Sequence, residues 1–252
     1  GPLESYLKPD GTSVDGIDWQ KEVFQKTEVR NHNFSVNGGS DGTQYNFAID
    51  NYKSTGLIPN SGFDRTYMKL KLNQKVRDKI RIGTSISYSE SLTTGQGTST
   101  SLVNTDPTNN SSPGRLSLLR NIIMNRPTGG MFVSNESYIT TTPTFGQEDE
   151  DLYNPITNSQ AQFKADKKSN ISIYSNINYV INKELSLRVF GGYNHTFRKR
   201  SGFDDEGSAI HSRTGVTNGF ITHIEELKVG GTATLNYKKA IGKNRIDVLL
   251  GI

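Results

Sequence analysis

The chain has 252 residues, of which 32% are hydrophobic, with a mean hydropathy of −0.60 and a formal net charge of +4. So little apolar material is poor for a conventional packed core, but it suits a water-filled barrel whose lumen and long loops are polar, or partial disorder in those loops. Cysteine is absent, which excludes a disulfide framework, a thiolate zinc site and a thiol nucleophile. No apolar run reaches the roughly eighteen residues of a transmembrane helix, and no signal peptide is visible.

Taken in chain order, residues 1–30 read as a lead-in with turn signals at Pro9-Asp10-Gly11 and Asp15-Gly16. A short helical turn is expected over 19–24, around Trp19. Strands are predicted over 31–38 and 44–53, joined by Ser40-Asp41-Gly42-Thr43, where Asp-Gly tolerates a positive φ. The next hairpin is predicted over 63–76 and 79–90, turning at Arg77-Asp78. Residues 91–167 break the pattern. They are rich in Thr, Ser, Asn, Pro and Gly and far exceed an ordinary connection, so the segment is either functional or disordered. Within it, Leu116, Leu118, Leu119, Ile122 and Ile123 have the spacing of a short amphipathic helix that packs the loop down. Strands resume over 168–181 and 184–197, turning at Asn182-Lys183, and again over 219–238 and 244–252, turning near Gly242-Lys243. The total is about eight strands. The sequence ends inside the last of them, so the chain is expected to be a fragment of a longer protein.

The predicted strands share a two-residue beat. Apolar and polar residues alternate in Tyr67-Met68-Lys69-Leu70-Lys71-Leu72, and again in Ile171-Ser172-Ile173-Tyr174. This gives each strand one apolar and one polar face. Short turns alternate with long loops, as in barrels whose outer face meets lipid. The fold class is therefore all-β, part of a large antiparallel transmembrane β-barrel, over residues 31–252. A charged residue on the lipid face at mid-bilayer costs roughly 2–4 kcal/mol. Lys69, Lys71 and Arg81 are thus expected to face the lumen, and Met68, Leu70, Leu72, Ile82, Thr84 and Ile86 the lipid. Tyr88, Tyr179, Tyr193 and Tyr237 lie on the apolar beat near predicted strand ends, where an amphipathic ring suits the membrane interface.

Catalytic and metal chemistry finds little support. His32, His195, His211 and His223 have no partners at ligand spacing. The acidic runs 148–151 and 204–206 lack spaced ligands and a central glycine. There is no Gly-x-Ser-x-Gly elbow, and Gly95-Gln96-Gly97 is too short for a dinucleotide fingerprint. No enzyme activity, cofactor or metal is expected. Arg198-Lys199-Arg200 faces Asp204-Asp205-Glu206 and reads as solvated loop charge, so no nucleic-acid partner is expected. Aromatics on the predicted loops, Tyr138, Phe145, Tyr153 and Phe203, are the candidates for touching a substrate or a lid.

The stretch 18–24, the run Asn31-His32-Asn33-Phe34-Ser35-Val36-Asn37-Gly38-Gly39-Ser40, and Tyr45-Asn46-Phe47 resemble the early barrel region of SusC/RagA-type TonB-dependent outer-membrane transporters. Ser61-Gly62-Phe63-Asp64-Arg65, the strands that follow it, and the loop element Asn154-Pro155 extend the resemblance over nearly the whole chain. The resemblance implies a 22-stranded, plugged barrel, of which this chain would form part of the wall. It further implies residence in the outer membrane of a Gram-negative bacterium and energy from a TonB complex. A SusD-like surface lipoprotein would form the lid, and oligosaccharides or peptides would be the imported substrates. The partners implied are that lipoprotein, the TonB complex, the rest of the barrel and outer-membrane lipid. The segment 91–167 would then be a long extracellular loop. A passive porin-like barrel and a soluble β-rich glycan-binding or adhesin module are the alternatives.

Overall fold

The computed structural model describes residues 16–95, Leu119, Ile122, Ile123, 154–208, His211 and 215–252. They form a single eight-stranded sheet, in which every strand pairs antiparallel with its sequence neighbour. The strands are β1 (Val29–Gly39), β2 (Thr43–Thr55), β3 (Gly62–Val76), β4 (Ile80–Thr94), β5 (Gln162–Val180), β6 (Leu185–Asp204), β7 (Asn218–Ile241) and β8 (Asn244–Gly251). Two short helices are described at full length beside them, α1 (Trp19–Val23) and α2 (Pro155–Ala161). No helix among the described residues is long and apolar enough to cross a membrane, which says nothing of strands.

The tight turns fall at one end of the sheet. Asn182 closes the β5–β6 turn, its side-chain oxygen accepting from the Glu184 and Leu185 amides at 2.9 and 2.8 Å. Arg77 adopts φ 57° in the β3–β4 turn and Gly242 adopts φ 60° in the β7–β8 turn. The first hairpin departs from expectation. Its positive φ is on Gly39, at 153°, not on Gly42. A Cβ at Gly39 would run into the Thr43 carbonyl oxygen, so the backbone, not the Asp-Gly pair, sets the glycine requirement.

The long connections fall at the other end, and there the strands outrun their predicted limits. β5 starts at Gln162 and β6 continues to Asp204. The connection expected over 91–167 therefore narrows to 95–161, and the loop expected over 198–218 narrows to 205–217. These strand extensions lack apolar alternation, but the backbone ladder continues through them. Charged pairs join neighbouring strands, with Lys167 Nζ at 2.9 Å from Glu90 and Arg198 gripping Asp166. The cluster Arg198-Lys199-Arg200 is thus strand, not loop.

The buried apolar cluster lies at this same end. Trp19 and Val23 of α1 pack with Ile58 from the β2–β3 loop and with Ile122, against which Ile17, Phe24 and Ile156 also rest. Asp18 caps α1, its carboxylate accepting from the Gln20 and Lys21 amides at 3.2 Å each. The Gln25 amide donates to the Leu57 carbonyl at 2.9 Å, and Asn60 reaches the Ser159 carbonyl at 3.3 Å. Residues 17–25 are therefore a clamp on the loop end. Ile122, together with Leu119 and Ile123, is helical as its spacing predicts.

Candidate functional site

The site is the sheet itself, because its two faces differ in kind. Residues paired across an antiparallel ladder share a face. Val36, Phe47, Leu70, Ile86, Ile173, Tyr193 and Val229 follow one another along one such row from β1 to β7. The adjacent row on the opposite face reads Ser35, Ala48, Lys69, Ser87, Ser172, Asn194 and Lys228. Every residue expected to face lipid lies on the apolar side: Met68 opposite Tyr88, Leu70 opposite Ile86, Leu72 opposite Thr84, and Ile82 opposite Ile177. Leu70 is 40% exposed and Met68, Leu72 and Ile86 each 37%, so no layer of the described residues covers them. Lys69, Lys71 and Arg81 take the polar side.

The apolar band has edges. Tyr179 shares a row with Ile80, Leu187 and Leu235, and Tyr237 with Leu185 and Val248, near the short turns. Tyr88 and Tyr193 mark the opposite margin. They sit mid-strand rather than at strand ends, because β4 and β6 continue past them with polar residues. Immediately beyond, on the same face, Glu90 accepts from the Tyr88 hydroxyl at 3.1 Å, and Glu225 lies 2.7 Å from His195 Nε2. The band steps along the register from Met68–Leu72 on β3 to Ile246–Leu250 on β8.

The polar face is tied together by side-chain hydrogen bonds. Asn170 donates to Thr196 at 2.7 Å and to Asn194 at 3.2 Å, and Ser172 donates to Asn170 at 2.8 Å. Arg65 reaches Asp50 at 2.9 Å with its guanidinium carbon 5.9 Å from the Tyr52 ring centroid. Arg188 donates to Asn178 at 2.9 Å. Two carboxylates outside the strands titrate low. Lys75 holds Asp78 below its ordinary range by a hydrogen bond and by charge, and Arg30 does the same for Glu28.

Among the expected contact aromatics, Tyr138, Phe145 and Tyr153 lie outside the described residues. Phe203, expected on a loop, is in β6 opposite Phe163. Register puts it on the same side as Tyr193, not on the polar side, and it is 46% exposed. Sequence reading missed two features. One is α2, whose signal was Asn154 as cap and Pro155 at the first helical position. The other is a pair of aromatics on the polar face, Tyr174 and Phe190, stacked with centroids 6.1 Å apart.

The sheet is similar to one stretch of the RagAB peptide importer in its 'closed-closed' state, with a TM-score of 0.66 and 15% identity over 94% of this chain and 25% of that chain. The fold is that of part of a large antiparallel β-barrel wall. A RagAB peptide transporter structure gives a TM-score of 0.65 at 16% identity, covering 97% of this chain and 26% of that one. The 'open-open' RagAB importer gives 0.61 at 15% identity, covering 94% and 25%. The chain thus spans about a quarter of these barrel chains. No family model and no curated protein matches it.

Proposed function

We propose that the chain is part of the barrel wall of a TonB-dependent nutrient importer in the outer membrane of a Gram-negative bacterium. The observation that carries this reading is the unbroken apolar row from Val36 to Val229, backed by a row of serine, asparagine and lysine with one alanine. Apolar side chains left uncovered on one whole face of a sheet need a non-aqueous neighbour. The likeness in fold to the RagAB structures supports a barrel as the frame in which that neighbour is lipid. The polar face then lines the solute path, and the work is passage, not bond making.

Oligosaccharides or peptides are the solutes proposed, with a SusD-like lipoprotein as lid. The TonB complex would act through residues outside this chain. Segment 95–161 then lies outside the cell and meets the lid. Phe203 and Phe163 stand beyond the apolar band and are offered to that lid from the outer side.

The test is fractionation and uptake with the full-length protein. It should sediment with the outer membrane, need detergent to stay monodisperse, and run faster on gels before boiling. Deleting its gene should abolish growth on one oligosaccharide or peptide source. A protein monodisperse without detergent would favour a soluble glycan-binding module and end the proposal. TonB-independent uptake would favour a passive pore.

A further inference from the structure

The polar face is strongly cationic. Among the eight described strands it carries thirteen Lys and Arg against five Asp and Glu, whereas the apolar face carries five against three. The excess of eight on one face exceeds the chain's whole net charge of +4. The cations run the length of the face. Arg65, Lys168 and Arg198 share one row nearer the long connections, Lys69 and Lys228 the second row below it, and Lys75, Arg81 and Arg188 a row close to the short turns. Carboxylates engage six of the thirteen, Arg65 through Asp50 and Lys228 through Glu226 among them. Asp166 alone stands between Arg198 and Arg200, and no ion pair engages Lys69, Lys71 or Arg81 among the described residues.

Like charges left unpaired on one wall are unfavourable unless an opposite charge meets them. A cationic wall around water selects anions, as rings of Lys and Arg do in anion pores. The spacing narrows the choice. Lys69 and Lys71 are two residues apart on one strand, so their stems stand about 7 Å apart. An extended peptide repeats its same-side groups at that same interval of about 7 Å. Beside these lysines, Ser85 and Ser87 offer hydroxyls to a peptide backbone.

We infer that the solute guided along this face is a short acidic peptide, held by Lys69 and Lys71 with Lys168 at the entry side. The inference rests on the proposed transporter reading, in which this face lines the path.

The experiment uses the full-length protein in detergent and fluorescently labelled tetraglutamate, tetra-alanine, tetralysine and trigalacturonate. Tetraglutamate should bind at least about tenfold more tightly than tetra-alanine, and added salt should weaken it. Lys69→Glu with Lys71→Glu should lower that affinity by about tenfold or more, and Lys69→Gln with Lys71→Gln by less. Equal binding of tetra-alanine or tetralysine overturns the inference, as does preference for trigalacturonate or failure of tetraglutamate to bind at all. These comparisons use the unaltered protein, so they decide the matter even where the variants do not assemble. A protein that sits correctly in the outer membrane but ignores peptide charge sinks only this inference. A protein found outside that membrane sinks the transporter reading itself.

Discussion

The ring of Tyr174 lies against Gly192, its register partner across β5 and β6, and a Cβ on that glycine would come within 3.0 Å of the ring. The neighbouring Gly191 faces the other side, where an added Cβ meets nothing within 4 Å. Gly192→Val should therefore displace Tyr174 and break its stack with Phe190, costing about 1–3 kcal/mol by overpacking. Gly191→Ala should be neutral or slightly stabilising, since it meets open space and reduces unfolded-state freedom. Urea titration of the refolded barrel in lipid vesicles checks both. Equal effects at the two positions would mean the register is wrong.

The same logic applies at the first hairpin. Gly39 combines φ 153° with a backbone oxygen where its Cβ would be, whereas Gly42 has open space. Gly39→Ala should loosen the β1–β2 turn by about 1–3 kcal/mol of local strain, and Gly42→Ala should not. Hydrogen exchange at the Ser40 and Thr43 amides, which bond each other's carbonyls, reads this directly.

Much of the sheet was legible because one beat specifies both strand and face. Leu70 and Lys69 declare opposite sides by their chemistry alone, and all eight predicted strands are present. The ends were not legible. Lys167 and Lys199 are register partners on the same face as Tyr193, yet nothing in their chemistry marks a face, so period-two reading stopped short of them. Phe203 went astray for that reason. Ser201-Gly202 looks like a turn, but the ladder carries on through it to Asp204. The cationic face was hidden differently. Its charges are scattered in sequence and gather only when register brings Arg81 of β4 beside Asn178 and Arg188 of β5 and β6.

The clamp at the loop end should be separable from the sheet. Trp19 is 3% exposed and packs with Val23, Ile58 and Ile122. Trp19→Ala should cost about 3–5 kcal/mol within that cluster. Limited proteolysis should then cut the lead-in and the β2–β3 loop sooner, while the unboiled gel mobility of the barrel stays the same. Loss of the folded band would show instead that α1 is needed for the sheet.

Residues 128–150 can be removed without touching Ile122 or the strand ends at Thr94 and Gln162. On the proposed reading this deletion leaves the barrel assembled and lowers uptake and lipoprotein capture together. Co-purification of the tagged lipoprotein is the measurement. Full capture and full uptake in the deletion would remove the segment from lid contact.

The sharpest prediction contrasts two neighbours. Leu70 sits in the apolar row between Phe47 and Ile86, and Lys69 sits in the polar row between Ala48 and Ser87. Under the membrane reading, Leu70→Lys puts an ammonium into hydrocarbon at a cost of roughly 2–4 kcal/mol near the midplane. Lys69→Leu exposes an apolar side chain to lumenal water, a smaller loss, and relieves repulsion from Lys71. Assembly measured as the heat-modifiable fraction in the outer membrane should therefore fall strongly for Leu70→Lys and little for Lys69→Leu. In a soluble protein with the polar face outward, Lys69→Leu would also be mild, so the pair is read together with a third variant, Leu70→Ala. Exposed to lipid, Leu70→Ala loses only part of one side chain's contact and should assemble nearly normally. Packed against a protein layer, it would leave a cavity costing about 2–5 kcal/mol. A severe Leu70→Ala defect would thus place that row against protein and remove the bilayer from the account.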